Sequence, residues 1–183
     1  LATEAFFASE GVADFADRRW GPQDLRALAG RPSSFGIFTA ADANIRSMED
    51  LKGKRFAYVA GNPSINLKCD ALLGAAGMTR DDVDARMFPT YNATMSSLAQ
   101  GQADASCTTT TPSQLYELAE SPRGIHWLEV DPDDEQAWDR LRQIAPFLQP
   151  YRETVGAGLS EDNAVDIFAY RYPVITVRAD QDE

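Results

Sequence analysis

Phe56-Ala57-Tyr58-Val59-Ala60 is a continuous apolar run, Gly61-Asn62-Pro63-Ser64 breaks it, and Leu67, Ala71, Leu72, Ala75 and Ala76 then recur at helical spacing up to Gly77. An apolar run of this length bounded by turn residues reads as a buried strand. The recurrence that follows reads as the buried stripe of a helix. Gly77 fits the position just past a helix end, where the backbone turns left-handed. The stretch is strand, turn, helix, and everything around it can be tested for the same unit.

On the C-terminal side the unit repeats. Ala85-Arg86-Met87-Phe88-Pro89 reads as a strand, Thr90-Tyr91-Asn92 as a turn, and Ala93 to Gln100 as a helix ended by Gly101. Asp104-Ala105-Ser106-Cys107 is the next strand. The polar run Thr108-Thr109-Thr110-Thr111 follows, with Pro112 in the first turn of a helix that has Leu115, Leu118 and Ala119 on its apolar side. Ile125 to Val130 is a further strand, and Asp131-Pro132-Asp133-Asp134-Glu135 opens an acidic helix over 136–144. Negative charge suits that positive helix end. Alternating strands and helices with short loops give a βαβ series, hence an α/β lobe with a mainly parallel sheet flanked by helices.

The flanks read differently. Ser47 to Arg55 is a capped helical turn closing on Gly53. Residues 1–24 read as a helix and an irregular loop ending in Trp20-Gly21-Pro22. Leu25 to Ala29 and Ser34 to Thr39 read as two strands parted by the breaker Arg31-Pro32. Tyr151 to Val155 and Tyr172 to Arg178 read as strands joined, without a helix, by a stretch containing Gly156 and Gly158. Such late extended segments suit a connection back toward another lobe.

Charge excludes whole classes of partner. The 183 residues carry 17 Lys and Arg against 28 Asp and Glu, a formal net charge of -11. Nucleic acid requires a basic face, and anionic lipid repels an acidic one. No apolar run approaches the roughly 20 residues that span a bilayer, so direct membrane insertion is not expected. The chain begins at Leu1 within a helical pattern, without the charged and apolar regions of a signal peptide, which reads as a processed chain or a fragment. Cys69 and Cys107 allow at most one intrachain disulfide and form neither a CxxC pair nor a zinc spacing. With one on a helix and the other at a strand end, they are read as two small buried apolar residues in preference to a bridge.

In an open α/β sheet a ligand sits past the carboxyl ends of the parallel strands, where helix N-termini point. That rule selects three uncharged loops in a heavily charged chain: the one carrying Asn62, Ser64 and Asn66, the one carrying Tyr91 and Asn92, and the run Thr108, Thr109 and Thr110. Their hydrogen-bonding groups suit a carboxylate or another small polar solute. Each also has a structural reading. Asn62 and Ser64 can cap the helix that follows, Tyr91 can pack over the sheet, and a threonine can serve as an N-cap.

Signals for catalysis are thin. His126 is the only histidine, inside a predicted strand, with no acid or thiol placed beside it by the sequence. The acids from Glu129 to Glu135 lack the glycine and the terminal Glu of a calcium loop, and Gly61 belongs to no nucleotide-binding pattern. Neither an enzyme nor a cofactor nor a metal site is expected.

Several phrases carry a family resemblance. They are Ser47-Met48-Glu49-Asp50-Leu51-Lys52-Gly53-Lys54-Arg55 before an apolar strand and a glycine-proline turn, Ala75 to Val83, Ser97 to Ala105, the polar turn with Pro112, and Tyr172 to Asp180. Together they resemble the TAXI class of TRAP-transporter solute-binding receptors, of the two-lobed periplasmic type, over roughly residues 25–180. The resemblance implies a periplasmic receptor that captures a small organic solute (glutamate, glutamine or a dicarboxylate) in an interlobe cleft. It also implies delivery of that solute to the membrane subunits of a TRAP transporter. A hinge would involve Phe38–Asp42 and Tyr172–Thr176. Residues 1–40 would be a remnant of the first lobe with the hinge, 41–171 the second lobe, and 172–183 the return strand. The chain departs from the family where its turn reads Gly61-Asn62-Pro63-Ser64-Ile65-Asn66-Leu67, placing Ile65 and Leu67 where hydroxyls are usual. A less polar or differently shaped acid fits that change. The alternative reading is a ligand-sensing effector domain of a regulator or receptor on the same architecture.

Overall fold

The computed structural model describes residues 2–17, 19 and 21–180, with no side chains described at 2 and 172–177. Trp20 and the side chains expected to form the return hinge at Tyr172–Thr176 lie outside the described residues. The chain divides into two compact units, Leu1–Ser33 with Tyr170–Glu183, and Ser34–Ala169. The first holds helix α1 (Ala2–Glu10), where the Ala8 carbonyl accepts the Gln23 N–H at 2.8 Å.

The second unit is α/β, with a central sheet flanked by helices. Its sheet runs β3-β2-β4-β1-β7-β6, with β5 paired to β1. The strands are β1 (Leu25–Ala40), β2 (Arg55–Val59), β3 (Asp84–Phe88), β4 (Ala105–Thr108), β5 (Ile125–Trp127), β6 (Gln149–Glu153) and β7 (Val165–Arg178), of which β1 before Ser34 and β7 from Tyr170 onward belong to the first unit. The helices are α2 (Pro63–Ala75), α3 (Tyr91–Ala99), α4 (Ser113–Glu120) and α5 (Glu135–Ile144). The strand-turn-helix units of the sequence are therefore present, close to their expected bounds.

Three expectations need correction. The sheet is mixed: β2 is parallel to β3 and β4, whereas β1 is antiparallel to both β4 and β5, and β6 to β7. Strand β1 slots between the crossover partners β4 and β5, and no local pattern announces a strand inserted from far upstream. Second, Arg31-Pro32 does not break β1, which runs 16 residues straight through it. Residues 26–32 of that strand are exposed, and a proline, lacking a ladder donor, is accepted where a strand is not held inside a sheet. Third, the last strand begins at Val165, not Tyr172. Val165, Ile167, Phe168, Ala169 and Tyr170 are buried on both faces, so the alternation that marks a half-exposed strand is missing.

The two faces of the sheet can be read from neighbouring residues of β4. Thr108 donates to the Sδ of Met95 on α3 at 3.5 Å, whereas Cys107, pointing the other way, is bonded to Cys69 on α2. One face therefore carries α3 and α4 over Phe38, Met95, Leu98, Leu115, Trp127 and Ile167. The other carries α2, packed on α5. Arg140 of α5 donates to the Gly74 and Ala75 carbonyls at the C-terminal end of α2, at 3.3 and 3.0 Å. A cation there satisfies carbonyls that have no partner within the helix.

The disulfide itself overturns the reading of two unbonded cysteines. The Cα atoms of Cys69 and Cys107 are 5.6 Å apart, inside the range a disulfide bridges. A helix residue and a strand residue far apart in sequence meet because α2 folds back across β2 onto β4.

An ion-pair network closes the amino edge of the sheet. Asp104 accepts from Arg55 Nε at 2.9 Å and lies 3.9 Å from Arg123, which also pairs with Asp42 at 2.8 Å. The Arg55 hydrogen bonds hold the Asp104 carboxyl below the usual carboxylate range, against the opposing effect of burial. A pKa lowered by folding stabilises above about pH 4, the unfolded value, and that contribution is lost as pH falls through the folded value. Urea melts across pH are therefore expected to show Asp104→Asn less stable than wild type at pH 7. The gap should narrow below about pH 4. A gap that persists unchanged in acid would assign the loss to packing.

Candidate functional site

Strand β2 passes to β3 through α2 on one face, and β3 passes back across β2 to β4 through α3 on the other. Right-handed crossovers in opposite directions require the helices on opposite faces. The chain therefore leaves the carboxyl ends of β2 and β4 toward opposite faces, the arrangement beside which an open α/β sheet places a ligand. The three loops expected to bind ligand all lie on this edge: 60–66 after β2, 89–92 after β3, and 108–112 after β4.

The first loop spends its amides on architecture. Asn62 caps α2, its Oδ1 accepting the Ile65 N–H at 3.1 Å. Asn66 is buried, and its carboxamide pairs with both backbone groups of Val59, accepting from N at 3.1 Å and donating to O at 2.8 Å. That double bond ties the start of α2 to the end of β2. Ser64, the loop's one hydroxyl, is buried on the first turn of α2.

The other two loops are joined directly. Thr90 caps α3 by accepting the Ala93 N–H at 3.1 Å, which puts Tyr91 and Asn92 on the helix's first turn instead of in a preceding bend. The Tyr91 hydroxyl hydrogen-bonds Thr108 Oγ1, and Thr109 lies within reach of the same phenol. Burial pushes the Tyr91 pKa up, so the phenol stays protonated and available as a donor. Asn92 is exposed, Thr108 and Thr110 are buried, and Thr109 is half-buried between them. Thr110 is fixed by its backbone, its carbonyl accepting the Ala157 N–H at 3.0 Å.

A residue that loop composition does not reveal is Lys68. It is 5% exposed, and its Nζ lies 4.8 Å from the centroid of the Phe35 ring. Ser64, Lys68 and Leu72 form one buried stripe of α2 at i, i+4 spacing. The charge hides this stripe from a search for apolar periodicity.

A separate cavity of about 610 Å³ lies at the other end of α2, lined by Ala75, Ala76, Arg46 and His126 among others. None of the eight residues expected to bind ligand lines it. Its wall carries Glu49, Glu129, Asp131, Asp134 and Asp166 against the single guanidinium of Arg46, an environment that repels an anion. Asp131 and Asp134 are used locally, accepting the Asp133 and Ala137 N–H groups, as a solvated helix start requires. His126 sits beside Arg46, and burial first, then that guanidinium, hold the imidazole pKa below its usual value. Among the described residues no cluster of three His, Cys, Asp or Glu is arranged to hold a metal ion.

Comparison with known proteins gives a family. A family model described as NMT1/THI5 like matches residues 27–139. Among solved structures, the alkanesulfonate-binding protein SsuA from Xanthomonas axonopodis pv. citri, bound to MOPS, is 23% identical. That match covers 57% of this chain and 36% of the other, with a TM-score of 0.43. The putative periplasmic sulfonate-binding protein SsuA from Methylobacillus flagellatus KT is 16% identical over 93% of this chain and 40% of its own, with a TM-score of 0.48. The periplasmic aliphatic sulphonate-binding protein SsuA from Escherichia coli is 20% identical over 81% and 41%, with a TM-score of 0.46. The chain thus spans about two fifths of the length of these solved proteins.

Proposed function

The chain belongs to the NMT1/THI5-like family, and from that premise we propose that it is a solute-binding receptor of a membrane transporter, acting outside the cytoplasm. The observation that carries the reading is the convergence of three uncharged loops on one sheet edge, two of them locked together by Tyr91 and Thr108. The Cys69–Cys107 disulfide supports an oxidising compartment. No helix among the described residues is long and apolar enough to cross a membrane.

In this reading Asn62 and Asn66 hold the frame. Ser64, Tyr91, Asn92 and the threonines from 108 to 110 face the solute with hydroxyl, amide and backbone donors. The solute is a small organic acid or amino acid, of the glutamate, glutamine or dicarboxylate kind. It is handed on without chemical change to membrane subunits of the TRAP type, as the phrases from Ser47 to Asp180 suggest. Residues 41–171 supply the α/β lobe, and 1–40 with 172–183 belong to the lobe and hinge strands that complete the receptor.

Thermal melting of the intact protein against a panel of organic acids and amino acids tests this. A solute present at about a thousandfold excess over its Kd stabilises by about 4 kcal/mol. At least one panel member is expected to raise the melting temperature by several degrees. A panel that leaves it unchanged contradicts the proposal.

A further inference from the structure

We propose that Glu153 is a positioning residue of the carboxyl-edge site: its buried carboxylate clasps the turn at 154–157, and that turn holds the threonine loop where it meets the solute. This rests on the receptor reading above and names what keeps one wall of that site in place.

The residues involved all lie within the second unit. Residues 149–152 of β6 are exposed, and so is Val155 just beyond the strand. Among the described residues between Leu148 and Ala157, Glu153 alone is buried, at 8% exposure. An apolar side chain ordinarily anchors such a strand, and here a carboxylate takes that place. A buried carboxylate is tolerated only where hydrogen bonds answer its charge, so the direction of those bonds decides what the residue holds. One oxygen accepts the Thr154 and Val155 N–H groups, each at 3.0 Å. The other accepts the hydroxyl of Ser34 on β1. Strand β7 lies between β1 and β6 in the sheet. The carboxylate therefore bridges two strands that are not neighbours and ties the turn after β6 to β1.

The clasped turn bears directly on the threonine loop. The Ala157 N–H donates to the Thr110 carbonyl at 3.0 Å. Gly156 passes so close that a Cβ built on it would lie 2.5 Å from the Thr110 Cβ. The Ala157 carbonyl in turn accepts the Trp127 Nε1–H at 2.9 Å. The turn is thus pinned at its near end by Glu153 and at its far end by Trp127. Hydrogen bonds to an ionised acceptor are about twice as strong as neutral ones, so the carboxylate is the stronger pin. Released at Glu153, the turn pivots on its far end, and the bond from Ala157 to Thr110 loosens. Thr108 and Thr109 precede that carbonyl in the same loop and move with it.

The test uses the intact protein, with whichever of succinate, L-glutamate and L-glutamine stabilises wild type most as the probe. Glu153→Ala is expected to weaken binding of that probe about tenfold, the size of one hydrogen bond to a charged group. Hydrogen exchange at the Ala157 N–H should quicken about tenfold, a larger change than at the Phe56 to Val59 amides. Glu153→Gln should keep its affinity within about threefold of wild type, because its amide oxygen still accepts the two N–H groups and its NH2 donates to the Ser34 oxygen. Asp104→Asn, which destabilises the amino edge instead, should keep its affinity and should not single out Ala157 in exchange. A merely structural role for Glu153 would not separate these variants. If Glu153→Ala does not fold, judged by circular dichroism, Ser34→Ala carries the same test with the same two readouts. The proposal is overturned, and the receptor reading left standing, by probe affinity within about threefold of wild type in Glu153→Ala (or in Ser34→Ala in its place) or by unchanged Ala157 exchange. An equal loss of affinity in Glu153→Gln or Asp104→Asn does the same. A wild type that none of the three probes stabilises overturns both.

Discussion

Reducing the Cys69–Cys107 disulfide is expected to lower the melting temperature by about 10 °C. The bond closes a loop with a sequence separation of 38. Cross-linking a loop of this length removes about 4 kcal/mol of chain entropy from the unfolded state. For a domain of this size each kcal/mol moves the midpoint by about 2–4 °C. The bond also fixes the middle of α2 to the last buried turn of β4, one residue before Thr108 and one after Lys68. Opening it loosens two site loops together. Reduction should therefore weaken solute binding as well as stability. A Cys69→Ala/Cys107→Ala variant should start from the lower midpoint and show no further response to reductant. A wild-type midpoint that reductant leaves unmoved would contradict this account.

Gly156→Ala is expected to cost about 3 kcal/mol, an effect comparable with losing the disulfide. Gly156 has φ +147°, a conformation that residues with a Cβ avoid. A Cβ built there would lie 2.5 Å from both the Cβ and the carbonyl oxygen of Thr110. Two of the groups it meets are fixed by the backbone, so no side-chain rotation relieves the contact. The substitution pushes on the carbonyl that accepts the Ala157 N–H, and through it on the threonine loop. Solute affinity should fall together with stability. Gly53→Ala is the control: Gly53 has φ +71° and open space around its Cβ position, so only the left-handed backbone penalty of about 1 kcal/mol applies. Urea melts of the two variants should differ by about 2 kcal/mol if the close approach to Thr110 matters.

Much of the second unit was legible because its information is local. Apolar runs at Phe56–Ala60 and Ala85–Phe88, helical spacing from Leu67 to Ala76, and glycines at 77 and 101 mark elements whose ends the structure places within a few residues. The edge that gathers the polar loops followed from strand direction alone. What escaped depends on partners distant in sequence. Strand β1 sits antiparallel between β4 and β5 because of where a long upstream segment docks. Pro32 looked like a breaker because its tolerance depends on exposure, which the local pattern does not encode. The disulfide depends on α2 crossing to β4. Asn66 looked like a ligand contact, since nothing in its neighbours shows that Val59 takes both ends of its amide.

The central claim is that the solute binds at the carboxyl edge of β3-β2-β4 and not in the acid-lined cavity at the far end of α2. Backbone amide chemical shifts, followed while the intact protein is titrated with the panel solute that stabilises it most, decide between them. The account predicts shifts concentrated at Gly61, Ser64, Tyr91, Asn92 and Thr108 to Thr110, with Arg46, Ile125 and His126 unmoved. Shifts concentrated at Arg46, Ile125 and His126, with the three loops silent, would contradict it.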